Sequence, residues 1–319
     1  MRKIVITAPI REEGIRLLEK EAKLKIFPRP PTEDELMKEM SDVDALLVTT
    51  NVERITKRLI DAAQRLKIIA RHGVGYENVD VDAATQKGVW VTVTPVLSET
   101  VADHVFALIL CLSRNICKAN DYIKSKKWLV RDPLIFMGSD VSNKTIGIIG
   151  LGRIGSCVAE RAKGFNMNIL YNDIVRKVEL EEKLNLRFTT LEGLLSESDY
   201  VVVSLPLTQE TIGFIGEREL KLMKRTAFLI NIARGAIVDH NALVRALKEG
   251  WIAGAGIDVF YKEPLPTDDP ILELDNVILT PHIASNTIEC RKRMSITAAE
   301  EILRVFHGEE PKYPVNKIH

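Results

Sequence analysis

Residues 145–165 read TIGIIGLGRIGSCVAERAKGF, and the spacing of their glycines decides which fold to expect. A short apolar run leads into Gly150, Gly152 and Gly155, and apolar residues at helical spacing follow. In a G-x-G-x-x-G turn the first glycine permits the tight turn, and the second lets the backbone approach a pyrophosphate. The third lets the helix pack closely on the strand, and the helix N-terminus favours a phosphate. The stretch therefore predicts a dinucleotide site at these glycines, with Arg153 and Ile154 in the first turn.

An acidic residue follows this turn at the distance that the pattern requires. The run NILYND ends at Asp173, 18 residues after Gly155 (173 − 155), where the second strand of a dinucleotide fold would end. A carboxylate there accepts hydrogen bonds from the adenosine ribose and repels a 2′-phosphate, so we predict NAD(H) rather than NADP(H). Arg176 and Lys177 lie close by and could oppose this preference. The alternative is an ordinary strand–helix turn with an acidic residue there by chance.

Length, charge and cysteine content limit the possible classes of protein. At 319 residues the chain exceeds a single core, so two domains are expected. Lys+Arg and Asp+Glu both number 44 and form no block of one sign, so neither nucleic acid nor a membrane surface is the expected partner. We find no signal peptide, no apolar stretch long enough to span a bilayer and no C-x-x-C pair among four cysteines. A cytoplasmic protein without a metal site is expected.

Short apolar runs alternate with helical patterns along the chain, which predicts an α/β fold with parallel sheets. Five strand-like runs precede residue 98, and seven more follow Thr145, so the pattern indicates two α/β domains. Between them, apolar residues near a 3.6-residue period predict one long helix from Ser98 to about Asn120. A last helix is predicted from about Thr287 to His307, stopped by Gly308.

Three chemically useful side chains, those of an arginine, a glutamate and a histidine, follow consecutive strands of the second series. INIAR ends at Arg234, GAGID ends at Asp258 with Glu263 in the next loop, and ILTPH ends at His282. Ligands of open α/β sheets lie outside the carboxyl ends of the strands, so these side chains should meet near the dinucleotide. Reduction of a 2-keto acid needs a cation to hold the substrate carboxylate, an acid to protonate the carbonyl oxygen and a carboxylate beside that acid. Arginine, histidine and glutamate are suited to these three tasks. Taken singly, each has an ordinary alternative: a surface arginine, a solvated acid or a core histidine.

The motifs GIIGLGRIG, LPLTQETIGFIG, NIARGAIVD, GIDVFYKEP and TPHIAS together resemble the D-isomer-specific 2-hydroxyacid dehydrogenase family over essentially the whole chain. The resemblance implies that Arg234, Glu263 and His282 are catalytic and that Asp258 binds the nicotinamide carboxamide. It also implies further cofactor contacts, at Pro206, Thr211 and Ala233.

The same resemblance implies a domain organisation and a substrate loop. A Rossmann NAD-binding domain, residues 100–286, would be inserted in a flavodoxin-like substrate domain made of residues 1–99 and 287–319. Val74 and Gly75, in RHGVGYENVD, would hold the substrate carboxylate together with Arg234 and His282. A homodimer joined through the NAD domains is also implied.

The sequence leaves the substrate open. TPVLSETVADHVFALIL resembles glyoxylate and hydroxypyruvate reductases, whereas ARHGVGYENVD resembles short proteins grouped with phosphoglycerate dehydrogenases. In the second case Arg71 would help to bind a phosphate. We therefore expect an NAD-dependent dehydrogenase of a small 2-hydroxy acid, with a D-3-phosphoglycerate dehydrogenase lacking a regulatory domain as the alternative. A corepressor-like protein that senses NAD(H) is a remote third possibility.

Overall fold

A computed structural model describes residues 1–318 of the chain. The chain divides into two compact units, which we describe separately. The split unit comprises Met1–Leu97 and the chain from Asn286 onward, and the central unit comprises Ser98–Ser285.

The split unit is a five-stranded parallel sheet with helices on both faces. Its strands are β1 (Arg2–Ile6), β2 (Ala22–Ile26), β3 (Ala45–Val48), β4 (Ile68–Arg71) and β5 (Trp90–Thr92). Its helices are α1 (Glu12–Leu18), α2 (Glu33–Met37), α3 (Lys57–Ala62), α4 (Val81–Gln86) and, at the end of the chain, Ile288–Phe306. The strand order β2-β1-β3-β4-β5 is the flavodoxin-like order of doubly wound sheets.

The central unit begins with two helices, α5 (Ser98–Ser113) and α6 (Ile116–Lys124). Its strands are β6 (Thr145–Ile149), β7 (Asn168–Asn172), β8 (Leu186–Phe188), β9 (Tyr200–Val203), β10 (Phe228–Asn231), β11 (Gly254–Ile257) and β12 (Val277–Leu279). Its remaining helices are α7 (Arg153–Gly164), α8 (Val178–Leu184), α9 (Leu191–Glu197), α10 (Glu217–Leu222) and α11 (His240–Glu249), and the last helix of the chain is therefore α12. The seven strands are parallel in the order β12-β11-β10-β9-β6-β7-β8, the Rossmann arrangement with one added strand.

Burial on both faces explains why the strands read as continuous apolar runs. In the split unit, Leu46 and Val48 of β3 join one core cluster, and Ala45 and Leu47 join the cluster on the opposite face. All four residues of β9 in the central unit are buried as well. Successive side chains of a strand point to opposite faces, so a strand covered by helices on both sides has to be apolar throughout.

The predicted long helix is wrong in one respect, because it is broken near its middle. Asn115 adopts a left-handed conformation with φ of 52°, and α5 and α6 diverge by 63° on either side of it. A left-handed residue interrupts the helical hydrogen-bond ladder, and asparagine tolerates that conformation better than most residues. The apolar spacing continues through Ile116, so periodicity alone gave no sign of the break.

The last helix is confirmed with its predicted start and stop. The Thr287 hydroxyl accepts a hydrogen bond from the N–H of Cys290 at 3.1 Å, and Gly308 takes a positive φ of 79° just beyond the helix. Among residues 1–318 no single helix combines the length and apolar character needed to cross a bilayer; the bent pair α5 and α6 meets that test by length and composition only.

Candidate active site

The ends of β10, β11 and β12 bring the predicted reactive side chains to one edge of the central sheet. These three strands are neighbours and run parallel, so their carboxyl ends lie side by side. Arg234 follows the end of β10, Asp258 follows β11 and His282 comes three residues after β12. Glu263 lies in the loop after β11.

His282 and Glu263 form a hydrogen-bonded pair. Nδ1 of His282 lies 2.7 Å from Oε2 of Glu263, and about a third of each side chain is exposed (34% and 32%). Oε1 of Glu263 accepts a hydrogen bond from the backbone N–H of Phe260 at 3.1 Å, which fixes the carboxylate. Burial, the largest single cause, acts to raise the pKa of Glu263, but the contacts with His282, the Phe260 N–H and the charge of Arg234 together lower the net pKa. An ionised carboxylate therefore orients the imidazole.

Arg234 lies on a turn that packs directly against the loop carrying Glu263. A Cβ on Gly235 would overlap the carbonyl carbon of Phe260, so only glycine permits this approach. The turn is held internally by Asn231, whose side chain donates to the Arg234 carbonyl at 3.1 Å and accepts from the Ala233 N–H at 3.1 Å. The charge of Arg234 is among the causes that lower the pKa of Glu263, so the two groups are within electrostatic reach.

Asp258 secures the loop that carries His282. Its side chain is fully buried and accepts hydrogen bonds from the N–H groups of Ile283 and Ala284, both at 2.9 Å, and from the Thr280 hydroxyl at 2.6 Å. Burial acts to raise the pKa of Asp258, but His104 and these donors together lower it overall. The Asp258 carbonyl also accepts from the His282 N–H at 2.9 Å. The structure thus gives Asp258 a positioning role beside its predicted contact with the carboxamide.

His104 and Thr280 extend this network, although sequence reasoning did not select either of them. Nε2 of His104, on α5, lies 3.0 Å from the Thr280 hydroxyl and 3.5 Å from Oδ1 of Asp258. The one available signal was the position of Thr280, two residues before His282 at the end of the same strand.

The glycine turn has the shape of a phosphate cradle. Gly150 adopts a φ of 91°, and a Cβ on Gly155 would overlap the carbonyl oxygen of Gly150, so neither site admits another residue without a shift. A Cβ on Gly152 would instead meet nothing within 4 Å, which leaves open space in front of the N-terminus of α7. Arg153 and Ile154 form the first turn of that helix. The residues present fit a dinucleotide pyrophosphate.

Asp173 stands beside this cradle at the end of β7. Its Oδ2 accepts a hydrogen bond from the N–H of Leu151, within the glycine turn, at 2.7 Å, and its Oδ1 accepts from the N–H of Val175 at 3.2 Å. The carboxylate is therefore fixed close to the position where the ribose of a dinucleotide bound at this turn would lie. Arg176, the nearby cation, forms an ion pair with Glu181 at 2.8 Å.

The remaining predicted cofactor contacts lie in loops at the same edge of the sheet. The Thr211 hydroxyl donates to the Pro206 carbonyl at 2.8 Å and accepts from the Thr208 N–H at 2.7 Å, so it shapes the loop after β9. Ala233 lies in the turn after β10, and its carbonyl accepts from Nη1 of Arg234 at 2.7 Å.

Val74 and Gly75 lie in the split unit, in the loop after β4. Arg71, which was expected to help bind a phosphate in the phosphoglycerate alternative, is almost fully buried (2% exposed). Its guanidinium donates to the carbonyl oxygens of Gly75 at 2.8 Å and Thr50 at 2.6 Å, and to Oδ1 of Asn51 at 2.5 Å. Arg71 therefore stabilises the loop, because its guanidinium N–H groups form hydrogen bonds within the protein.

Comparison with known proteins gives consistent matches. Residues 106–284 match the family model described as D-isomer specific 2-hydroxyacid dehydrogenase, NAD binding domain. A glyoxylate reductase of Thermococcus gammatolerans is 49% identical over 322 residues, covering 99% of this chain and 96% of the relative.

Solved structures agree with that match. Protein TT0316 of Thermus thermophilus superposes with a TM-score of 0.91 at 38% identity, covering 99% of this chain and all of the other. A D-lactate dehydrogenase of Aquifex aeolicus, solved with NAD and lactic acid, gives a TM-score of 0.85 at 33% identity, covering 97% and 96% of the two chains.

Proposed function

The chain belongs to the D-isomer-specific 2-hydroxyacid dehydrogenase family, and from that premise we propose that it reduces glyoxylate, and related small 2-keto acids such as hydroxypyruvate, with NADH. It is an NAD-dependent oxidoreductase acting on 2-hydroxy acids. The choice of substrate is supported by the glyoxylate reductases to which the chain is 45–49% identical. The D-3-phosphoglycerate alternative is not favoured, because Arg71, the expected phosphate ligand, donates to the carbonyl oxygens of Gly75, after β4, and of Thr50, after β3.

The observation that carries the proposal is the 2.7 Å contact between His282 Nδ1 and Glu263 Oε2, at the edge of the sheet where Arg234 also lies. When bound, NADH supplies the hydride that reduces the carbonyl carbon. His282 gives its proton to the carbonyl oxygen, and because Glu263 is bonded at Nδ1, Nε2 is the nitrogen that donates it. In the oxidative direction the same nitrogen accepts the proton.

Arg234 and Glu263 have separate roles in this proposal. The planar guanidinium of Arg234 pairs with the substrate carboxylate and polarises the adjacent carbonyl, a task suited to a permanently charged fork. Glu263 fixes the imidazole ring through its hydrogen bond at Nδ1. We further propose that the loop containing Val74 and Gly75 offers backbone N–H groups to a substrate carboxylate.

We also propose that Asp258 performs two tasks, contact with the nicotinamide carboxamide and support of the His282 loop. The second task is supported by its bonds to Thr280, Ile283 and Ala284. Gly150, Gly152 and Gly155 would receive the pyrophosphate, and Asp173 the adenosine ribose.

We propose that two copies associate through their central units. Residues 116–137 carry a group of exposed apolar side chains, among which Leu129 and Val130 are 86% and 76% exposed. Apolar surface of this extent in a short segment suits a protein interface. Light scattering should give twice the chain mass of 35.8 kDa, and Leu129→Glu with Val130→Glu should reduce it to one chain. A monomeric wild type would contradict this.

The test of function is the initial rate of NADH oxidation, followed by absorbance, with glyoxylate, hydroxypyruvate and 3-phosphohydroxypyruvate. We expect rapid loss of NADH with the first two. Turnover with the phosphorylated acid alone would overturn the proposed substrate class. Tight NADH binding without turnover of any of the three would favour a sensing protein.

A further inference from the structure

We propose that Glu181 determines the cofactor preference by holding Arg176 in an ion pair, so that the guanidinium is not available to a 2′-phosphate. This inference rests on the proposed nucleotide site and adds to it a specificity residue outside the glycine turn. In dinucleotide folds an acid at the end of the second strand selects NAD, whereas a nearby arginine accommodates the 2′-phosphate of NADP. This chain contains both residue types within four positions, at Asp173 and Arg176.

The contact between Arg176 and Glu181 is bidentate. Nε of Arg176 donates to Oε1 of Glu181 at 2.9 Å, and Nη2 donates to Oε2 at 2.8 Å. Parallel bonds of this kind are stronger and more directional than a single contact between two surface charges. The guanidinium also lies 5.9 Å from the ring centre of Phe188. Arg176 therefore has a defined position even though 61% of its side chain is exposed.

Glu181 is the fixed member of the pair. Only 13% of its side chain is exposed, and its Oε1 accepts a hydrogen bond from the Tyr171 hydroxyl at 2.6 Å. Tyr171 is fully buried in β7, and its hydroxyl accepts from the N–H of Lys177 at 2.8 Å. The Arg176 and Tyr171 contacts hold the pKa of Glu181 at about 2, so the carboxylate stays ionised at any working pH. Both the loop and the carboxylate are thus held in place before a nucleotide binds.

The two acidic residues act in complementary ways. Asp173, bonded to the Leu151 N–H of the glycine turn, presents a negative charge where a 2′-phosphate would lie. Glu181 competes with that phosphate for the cation that would otherwise neutralise it. Removing the charge of Glu181 should therefore improve binding of a 2′-phosphorylated nucleotide while Asp173 remains in place.

The experiment compares ADP-ribose with its 2′-phosphate by isothermal titration calorimetry, since both lack the nicotinamide and differ only in that phosphate. Glu181→Gln keeps the size of the side chain and an oxygen for Tyr171. We expect its affinity for the phosphorylated ligand, relative to ADP-ribose, to rise about tenfold, as for a gained hydrogen bond between charged groups. Adding Arg176→Ala should abolish the gain.

Glu249 provides a matched control in the same unit. Its carboxylate pairs with Arg245 at 3.6 Å and accepts the Trp251 indole N–H at 3.0 Å, at the end of α11 and so at the opposite edge of the sheet. Glu249→Gln should leave the ratio of the two affinities unchanged. An unchanged ratio in Glu181→Gln, or a gain that survives loss of Arg176, would overturn the inference. If wild type failed to bind ADP-ribose, the nucleotide site itself would be refuted, and this inference with it.

Discussion

At the scale of single residues, the site depends on a histidine in an unusual backbone conformation. His282 has a φ of 53°, a region that only a few per cent of non-glycine residues occupy, with asparagine, aspartate and histidine the most frequent among them. Its N–H is bonded to the carbonyls of Asp258 and Thr280, both at 2.9 Å, and the following two N–H groups are bonded to the Asp258 carboxylate. The surrounding bonds hold the strained residue in place, as is common at functional sites.

Thr280 should therefore act as a positioning residue. Thr280→Val keeps the shape of the side chain but removes the hydroxyl that bonds to Asp258 at 2.6 Å and contacts His104 at 3.0 Å. We expect kcat to fall roughly tenfold, as for loss of about 1.4 kcal/mol of transition-state stabilisation, with the Kd for NADH unchanged. Steady-state kinetics and NADH fluorescence titration measure the two quantities. Thr280→Ser should retain activity, and equal rates in the Val and Ser variants would refute the role.

The residue types of the site could be predicted from the sequence, but several of their contacts could not. Arg234, Glu263 and His282 stand at the ends of consecutive strands, so their shared edge follows from the topology of a parallel sheet. The contact of His104 with Thr280 joins positions 176 residues apart, and no local spacing encodes it. The burial of Arg71 could not be predicted either, because a charged residue at the end of a strand is interpreted as a substrate ligand unless its hydrogen-bond acceptors are known.

At the scale of elements, the segment from β6 to α7 contains one glycine that the fold requires and another that the fold does not require. Gly155 is required by the packing of helix on strand, since a Cβ there would overlap the Gly150 carbonyl oxygen. Gly152 has an ordinary φ of −77° and open space where its Cβ would point. Gly155 therefore serves the fold, whereas Gly152 leaves open the space proposed for the pyrophosphate.

Alanine substitutions should distinguish these roles. Gly152→Ala should leave the melting temperature of the unliganded protein unchanged and weaken NADH binding about tenfold or more, because the methyl group would occupy the pyrophosphate space. Gly155→Ala should lower the melting temperature by several degrees, as expected for a forced overlap in a packed element that costs about 1–3 kcal/mol. Thermal denaturation and NADH titration test both. Unchanged NADH affinity in Gly152→Ala would place the pyrophosphate elsewhere.

Element boundaries were predictable where a chemical signal marks them. Thr287 and Gly308 bracket α12 and were predicted as its start and its stop. The break between α5 and α6 was missed because Asn115 carries the turn while apolar residues continue on both sides.

At the scale of the whole molecule, the split unit carries a buried neutral histidine that should make its stability sensitive to acid. His72 is 5% exposed, and its Nε2 lies 3.0 Å from the Ser295 hydroxyl. Within residues 1–318 its Nδ1 has no hydrogen-bond partner. Burial, assisted by the charge of Arg291, lowers the pKa of His72 to about 4.

A folded-state pKa below the unfolded value of about 6.5 means that protons bind the unfolded chain more readily. The contribution of neutral His72 to the unfolding free energy is then complete above pH 6.5, and it is lost as the pH falls from 6.5 to 4. Between pH 7 and pH 5 this one group should cost about 2 kcal/mol of unfolding free energy. The unfolding free energy is measured by urea denaturation at pH 7 and pH 5, with hydrogen exchange reporting on the split unit. Between these two pH values His72→Gln should lose about 2 kcal/mol less unfolding free energy than wild type. An equal loss in wild type and variant would contradict the assignment.

The most direct test of the proposed chemistry is the single-turnover rate of NADH oxidation by His282→Asn with hydroxypyruvate. Asparagine accommodates the φ of 53°, so the loop held by Asp258 should stay intact and only the proton donor is lost. We predict a rate roughly 10²–10⁴-fold below wild type with NADH affinity unchanged, the usual effect of removing a general acid. A rate within about threefold of wild type would mean that the proton comes from another group, and His282 would then be a structural residue.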